Sequence, residues 1–182
     1  MNEMFRITVI MGIYNCADTL VEALESLEAQ TYKKFRVILC DDGSTDNTLE
    51  IAKKWEESHP NYIVINNESN VGLNATLNRC LKYVDTEFVA RMDGDDRSLP
   101  HRFEQEVNFL DEHPDFAIVS GPMHYFDDSG IFRKGEGCGV VTKQDFIVGT
   151  PFCHAPCMVR REAYKIYSVL KVVTCRRLSS LV

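Results

Sequence analysis

The tightest constraint on this fold is a pattern repeated through the first 120 residues. Short β-branched runs alternate with amphipathic helical stretches. Ile7-Thr-Val-Ile-Met11 reads as a buried strand, and Leu20, Ala23, Leu24 and Leu27 then recur at i, i+3, i+4 and i+7, with Asp18 placed to cap that helix. Phe35–Cys40, Tyr62–Ile65, Glu87–Met92 and Phe116–Val119 read as further strands. Between them lie a helix over Asp46–Glu57, a helix with Leu73, Leu77, Leu81 and Val84 on its core face, and a helix opened by Pro100 with Phe103, Val107 and Leu110 inside. Such alternation predicts an α/β fold. A mostly parallel central sheet is joined by right-handed crossovers and covered by helices on both faces, giving three α/β/α layers.

In sheets of this kind ligands bind beyond the carboxyl ends of the strands, and the polar residues of this chain gather there. Tyr14 and Asn15 follow the first strand, Asp41 and Asp42 the second, Asn66 to Asn70 the third, and Asp93 to Asp96 the fourth. In the last group Asp93 and Asp95 share a side by strand alternation. Two like charges so close call for a raised pKa or for a cation between them. A hard divalent ion with oxygen ligands, Mg²⁺ or Mn²⁺, suits the pair, and such ions complete their shell with substrate phosphates. An acidic turn with no ligand is the competing reading of the spacing alone.

A net charge of −7 and a pI near 5.2 argue against nucleic acid as a partner, because no broad basic surface is available to meet phosphates. The same acidity makes a cation the means of holding a polyphosphate. There is no Gly-x-x-x-x-Gly-Lys-Ser/Thr and no Gly-x-Gly-x-x-Gly after a strand, so neither a P-loop nor a dinucleotide cradle is expected. Seven cysteines occur without a Cys-x-x-Cys pair, which predicts reduced thiols and no zinc site. No apolar run is long enough to span a bilayer and no signal peptide is evident, so the expected location is cytoplasmic.

Five motifs stand in order: Val9-Ile-Met-Gly-Ile-Tyr-Asn15, Gln30-Thr-Tyr32, Cys40-Asp-Asp-Gly-Ser-Thr-Asp-Asn-Thr48, Asn70-Val-Gly72 and Met92-Asp-Gly-Asp-Asp96. Over about residues 6–164 the chain thereby resembles the family 2 glycosyltransferases of GT-A fold, a Rossmann-like nucleotide-diphospho-sugar transferase architecture. The resemblance implies inverting transfer of a sugar from a nucleotide-sugar donor, typically carrying UDP, to a glycan or lipid-linked acceptor. Site residues are implied in the same way. Ile13, Tyr14, Asn15, Asp41, Asp42, Asn70, Gly72, Asp93 and Gly94 would surround the nucleotide, with Asp42 bonding the base. Asp95, with Asp93, would hold Mg²⁺ or Mn²⁺. Asp96 would lie by the sugar and His154 on the acceptor side. Peripheral association with the inner face of a membrane and self-association are both compatible with it.

The family's catalytic base is an acid beyond the equivalent of Arg160–Ala163, whereas residues 163–182 carry Lys165, Lys171, Arg176 and Arg177 and no Asp or Glu. The expectation is therefore a nucleotide-sugar-binding domain over 1–162 and an atypical basic tail over 163–182. On that reading no catalytic base is identified, and the chain is a truncated fragment with impaired transfer. Two alternatives remain open. One is a non-catalytic nucleotide- and metal-binding module or gene remnant. The other is a sugar nucleotidyltransferase, disfavoured by the lack of Arg or Lys between Met11 and Asn15.

Overall fold

The computed structural model describes residues 5–127, 129–135, 139–141, 144–148 and 153–166. The aliphatic runs form strands β1 (Ile7–Ile13), β2 (Phe35–Asp41), β3 (Tyr62–Asn66) and β4 (Phe88–Arg91). Helices α1 (Ala17–Glu28), α2 (Thr48–Ser58) and α3 (Leu73–Leu81) cross between them. Then follow α4 (Arg102–Glu112), β5 (Ile118–Ser120), the hairpin β6 (His124–Asp127) and β7 (Gly130–Lys134), α5 (Asp145–Val148), β8 (Cys157–Arg160) and α6 (Arg161–Ile166). The main sheet has the order β3-β2-β1-β4-β8-β5. β1 pairs in parallel with both β2 and β4, and β2 with β3. The sheet is thus mainly parallel, as the alternation predicts.

Burial explains the strand composition. β1 lies at the centre of the parallel part and is buried along nearly its whole length, which suits a continuous aliphatic run. β3 is at the edge and alternates, with Tyr62 and Val64 inward and Ile63 outward. One face of the sheet (Val9, Met11, Val37, Leu39, Ala90) packs on Leu20, Leu24 and Leu27 of α1, Ala52 of α2 and Phe103, Val107 and Leu110 of α4. The other face (Ile10, Ile38, Cys40, Val89) packs on Leu77 and Cys80 of α3. Each fully buried aliphatic or aromatic side chain here contributes about 1.5–3 kcal/mol. Phe103 meets Phe35 edge to face at 5.4 Å between ring centres.

Three local expectations need correction. Asp18 does not cap α1: Cys16 precedes the helix, Asp18 lies in its first turn, and the Ala17 amide is served by Asp46 from the next loop at 3.2 Å. Of the core face expected for α3, Leu77 is buried and Leu81 and Val84 pack partly buried against the same cluster, with Thr76 and Cys80 buried beside them, while Leu73 is exposed. β8 was not expected. It enters antiparallel between β4 and β5, so the strand expected at 116–119, observed at 118–120, joins the sheet only through it. Only four residues long, β8 shows no period of its own. After Asp127 the chain turns back as β7, which pairs antiparallel with β6.

α6 runs across the 162/163 boundary. Its Ala163 and Tyr164 pack on Ile118, Val141, Cys157 and Val159. Most of the basic tail, 167–182, lies outside the described residues, as do Gly137 and Phe152.

Candidate nucleotide-sugar site

The loops at the carboxyl ends of β1 and β2 hold each other. Asn15 adopts a left-handed backbone (φ 47°), a conformation Asn tolerates better than most residues. Its amide donates to Ser44 Oγ at 3.0 Å, and its side-chain oxygen accepts from the Thr45 amide at 2.8 Å. The Cys16 amide donates to Thr48 Oγ1 at 2.8 Å. Asp41 turns the β2 loop by accepting from the amides of Gly43 and Ser44 at 3.1 and 3.0 Å, while its other oxygen is buried without a partner. Gly43 is required at this turn: its φ is +72°, and a Cβ would meet the Ser69 backbone at 2.7 Å. Ile13 is buried, and Tyr14 next to it is 46% exposed at the mouth of the site.

Asp42 joins this pair of loops to the one after β3. Its Oδ1 accepts from Asn67 Nδ2 (2.8 Å) and the Val71 amide (2.9 Å), and its Oδ2 accepts from the Gly72 amide (2.9 Å). Asn67 is fixed in turn by Thr76 and by Arg79. Burial works against the charge on Asp42, but the Val71 and Gly72 amides, Asn67 and Thr76 outweigh it and hold the carboxyl below its usual range. The carboxylate therefore spends most of its acceptor capacity on its own chain, fixing the loop that carries Asn70 and Gly72. Asn70 caps the same turn by accepting from the Gly72 amide at 3.1 Å.

The loop after β4 packs against the first. Gly94 donates no side chain because none fits: a Cβ would lie 2.8 Å from Cys16 Sγ and 3.1 Å from Ile13 Cγ2. The Gly94 carbonyl accepts from Thr19 Oγ1 at 3.0 Å. Arg91 Nη2 donates to both oxygens of Asp93, at 2.9 and 3.1 Å. Asp95 is exposed, and Asp96 is half-buried. Burial first, then the charges of Asp93 and Asp95, push Asp96 up to about 6. His154 is partly buried, and burial, with Arg91 second, pushes its imidazole down, so it is neutral at pH 7.

These facts bear on the metal. Among the described residues no group of three or more His, Cys, Asp or Glu is arranged to enclose an ion. Of the two residues expected to hold one, Asp93 already gives both carboxylate oxygens to Arg91 and would have to release it, while Asp95 is exposed. The rise of Asp96 comes first from burial and second from the charges of Asp93 and Asp95, with Arg102 and Arg91 pulling the other way.

Beyond Asp96, a cavity of about 360 Å³ runs under the hairpin. Met92, Asp96, Ser98 and Arg102 lie along it with Phe126 and Ile131. The structure thus gathers the residues read from β1 to β4 around one sheet end. It also adds residues that sequence reasoning did not single out: Ser44, Asp46, Thr48, Asn67, Arg79, Arg91 and Arg102. Only Ser44, Asp46 and Thr48 stood inside a recognised motif. Asn67, Arg79 and Arg102 declare themselves through contacts distant in sequence, and Arg91 through its pairing with Asp93.

Comparison with known proteins agrees with this arrangement. The sequence matches the family described as Glycosyl transferase family 2 over residues 8–167. It is 43% identical over 166 residues to EpsE of Bacillus subtilis (strain 168), named as a glycosyltransferase, covering 91% of this chain and 60% of EpsE. The chain thus spans about three-fifths of that relative. In fold it is similar to S. aureus TarS 1-349 in complex with UDP (TM-score 0.73, 24% identity, 96% of this chain and 61% of TarS). It is also similar to the mannosyltransferase PcManGT from Pyrobaculum calidifontis in complex with GDP-Man and Mn²⁺ (TM-score 0.69, 24% identity, 90% and 46%). Neither the nucleotidyltransferase reading nor the non-catalytic one is favoured by these similarities. With its mainly parallel sheet, GT-A neighbours and family match over most of its length, the chain belongs to glycosyl transferase family 2.

Proposed function

We propose that this chain carries the donor-binding part of a glycosyltransferase that moves a sugar from a nucleoside-diphosphate donor, UDP in the first instance, to an acceptor hydroxyl with inversion. The observation that carries the reading is a continuous set of contacts among four strand-end loops, from the acidic cluster through Ile13 and Cys16 to Ser44, Asp42 and the Asn70–Gly72 turn. Gly94 is wedged against Ile13 and Cys16, and Asp42 anchors the Asn70–Gly72 turn. Tyr14 offers an exposed ring at the mouth for the base, beside Ile13, Asn15 and Asp41. Asp42 reaches the base mainly by holding the loop around it. Asp95, with Asp93 released from Arg91, would hold Mg²⁺ or Mn²⁺, which when bound supplies Lewis-acid neutralisation of the diphosphate. Asp96 faces the sugar. His154 stands on the acceptor side as a neutral imidazole.

In the reaction the acceptor oxygen forms a bond to the anomeric carbon as the bond from that carbon to the diphosphate breaks. The electron pair leaves with the diphosphate, and the hydroxyl proton must pass to a base within hydrogen-bond reach, a role assigned to none of the described residues. The neighbours solved with UDP and with GDP-Man and Mn²⁺ support donor and metal alike. The reading includes a cytoplasmic location. Among the described residues no helix is long and apolar enough to cross a membrane.

Calorimetric titration with UDP in the presence of Mn²⁺ tests it. Binding should be manganese-dependent and weaken about 10- to 100-fold in Asp95→Ala, equivalent to roughly 1.4–2.7 kcal/mol. Affinity unchanged by the substitution and by chelation of the metal would sink the proposal.

A further inference from the structure

One arginine outside the recognised motifs reaches the nucleotide loop from behind. Resting on the donor-site reading above, we infer that Arg79 is a positioning residue for the nucleotide: it fixes which way round the Asn67 side-chain amide lies, and Asn67 in turn fixes Asp42 and the Asn70–Gly72 turn.

The contacts form one line. Arg79, in the last turn of α3, donates from Nη1 to Asn67 Oδ1 at 2.6 Å and to the Asn66 carbonyl at 2.8 Å. Asn67 donates from Nδ2 to Asp42 Oδ1 at 2.8 Å and to Thr76 Oγ1 at 3.0 Å. Asp42 then accepts from the amides of Val71 and Gly72, each at 2.9 Å. The backbone N–H of Asn67 donates to the Asp41 carbonyl at 2.8 Å, so its main chain is held by β2 and the side-chain amide is the part left to turn. Asn67 is only 9% exposed, so water is a poor substitute for a lost partner.

An Asn amide carries an acceptor on one side and a donor on the other, and its shape alone does not choose between them. Here charge chooses. Arg79 offers only donors, and ionised Asp42 offers only acceptors. Turned over, the amide would set its oxygen against the Asp42 carboxylate and its NH₂ against Arg79. Two attractions would become two repulsions in a place largely closed to water. Removing Arg79 leaves the amide oxygen buried without that partner and takes away one of the two penalties for turning. Asp42 then loses a donor whenever the amide is reversed. Because the same carboxylate holds Val71 and Gly72, the loss passes to the turn beside the base.

A purely structural part for Arg79 would run through the Asn66 carbonyl, at the end of the edge strand β3, and would be felt in the sheet instead.

The test uses Arg79→Met, which keeps the length of the side chain and removes its donors. In calorimetric titration with UDP and Mn²⁺ the affinity should fall about tenfold, the size of a coupling within one hydrogen-bond network. In an Asn67→Ala background the same substitution should change affinity by less than about twofold, since residues that act through one another are not additive. In the ligand-free chain, Arg79→Met should accelerate amide exchange at Val71 and Gly72, leave Ile63 and Ile65 of β3 at the wild-type rate, and shift the Asn67 side-chain NH₂ signals. Unchanged UDP affinity, an equal loss with and without Asn67, or faster exchange along β3 as well would overturn the inference while leaving the donor reading intact. Unfolding of Arg79→Met would make the residue structural and overturn it too. If Asn67→Ala does not fold, the exchange pattern of the single variant decides. Failure of the unaltered chain to bind UDP with Mn²⁺ strikes the donor reading, and the tie from Arg79 to the turn is then judged by the ligand-free exchange alone.

Discussion

The loops after β1, β2 and β3 and the junction of α4 with β8 are stitched in opposite ways. In the loops, acceptors seize backbone amides. Asp41 takes Gly43 and Ser44, Asp42 takes Val71 and Gly72, and Asp46 takes Ala17 and Thr48. At the junction, arginines seize backbone carbonyls. Arg102 reaches those of Arg91 and Cys157, and Arg160 those of Leu110, His113 and Phe116. The reason lies in which groups each place leaves over. A parallel strand that feeds a helix ends at that helix's N-terminus, where amides have no partner. The C-terminal turn of α4 leaves carbonyls. The acids that order these loops also concentrate negative charge there, which is where the proposed cation would act. The arginines are consumed by structure and leave the neighbouring cavity apolar.

Breaking the arginine side should have the largest effect. Arg102→Ala frees two carbonyls and strands Glu106, which is fully buried and whose carboxyl burial already pushes up to about 7 against the pull of Arg102. Chemical denaturation should show a loss of about 3–5 kcal/mol. A loss below 1 kcal/mol would show that the junction does not depend on this residue.

On the carboxylate side, Asp42→Ala removes three charge-assisted bonds but leaves a loop near the surface, so the expected loss is smaller, about 2–3 kcal/mol. UDP affinity should fall with it, and amide exchange at Val71 and Gly72 should accelerate. Protection of those amides at the wild-type level would break the comparison.

Acid sharpens it further and should act most gently. Asp42 and Asp46 sit below the usual 3.8 in the folded chain. Their contribution is present above that value and disappears as pH falls through their depressed values. The Ala17, Val71 and Gly72 amides should therefore lose protection in acid before the arginine-held residues 157–160 do. Simultaneous loss in both places would count against two separate devices.

Much of this was legible beforehand. β1 to β4 and their helices announce themselves because burial on one or two faces imposes a period on the residues that form them. Asp93–Asp96 is compact in sequence, so its concentration of charge needs no folding to be seen. Arg102 and Arg160 carry no such mark, because their partners lie up to 55 residues away. The role of Asp42 was legible only as polarity at a strand end. Its commitment to Val71 and Gly72 depends on where α3 begins.

By itself, then, the sequence determined the parallel α/β plan, the end of the sheet at which the polar loops gather, and the acids found there, since all three follow from local periodicity and local charge. Tertiary structure alone decided that β8 divides β4 from β5, that Asp42 serves the loop first, and that the arginines close around an apolar cavity. Those outcomes are choices of partner between residues far apart along the chain. No local pattern encodes such a choice, because a short strand or a single arginine satisfies its bonding equally well at many places until packing leaves it one.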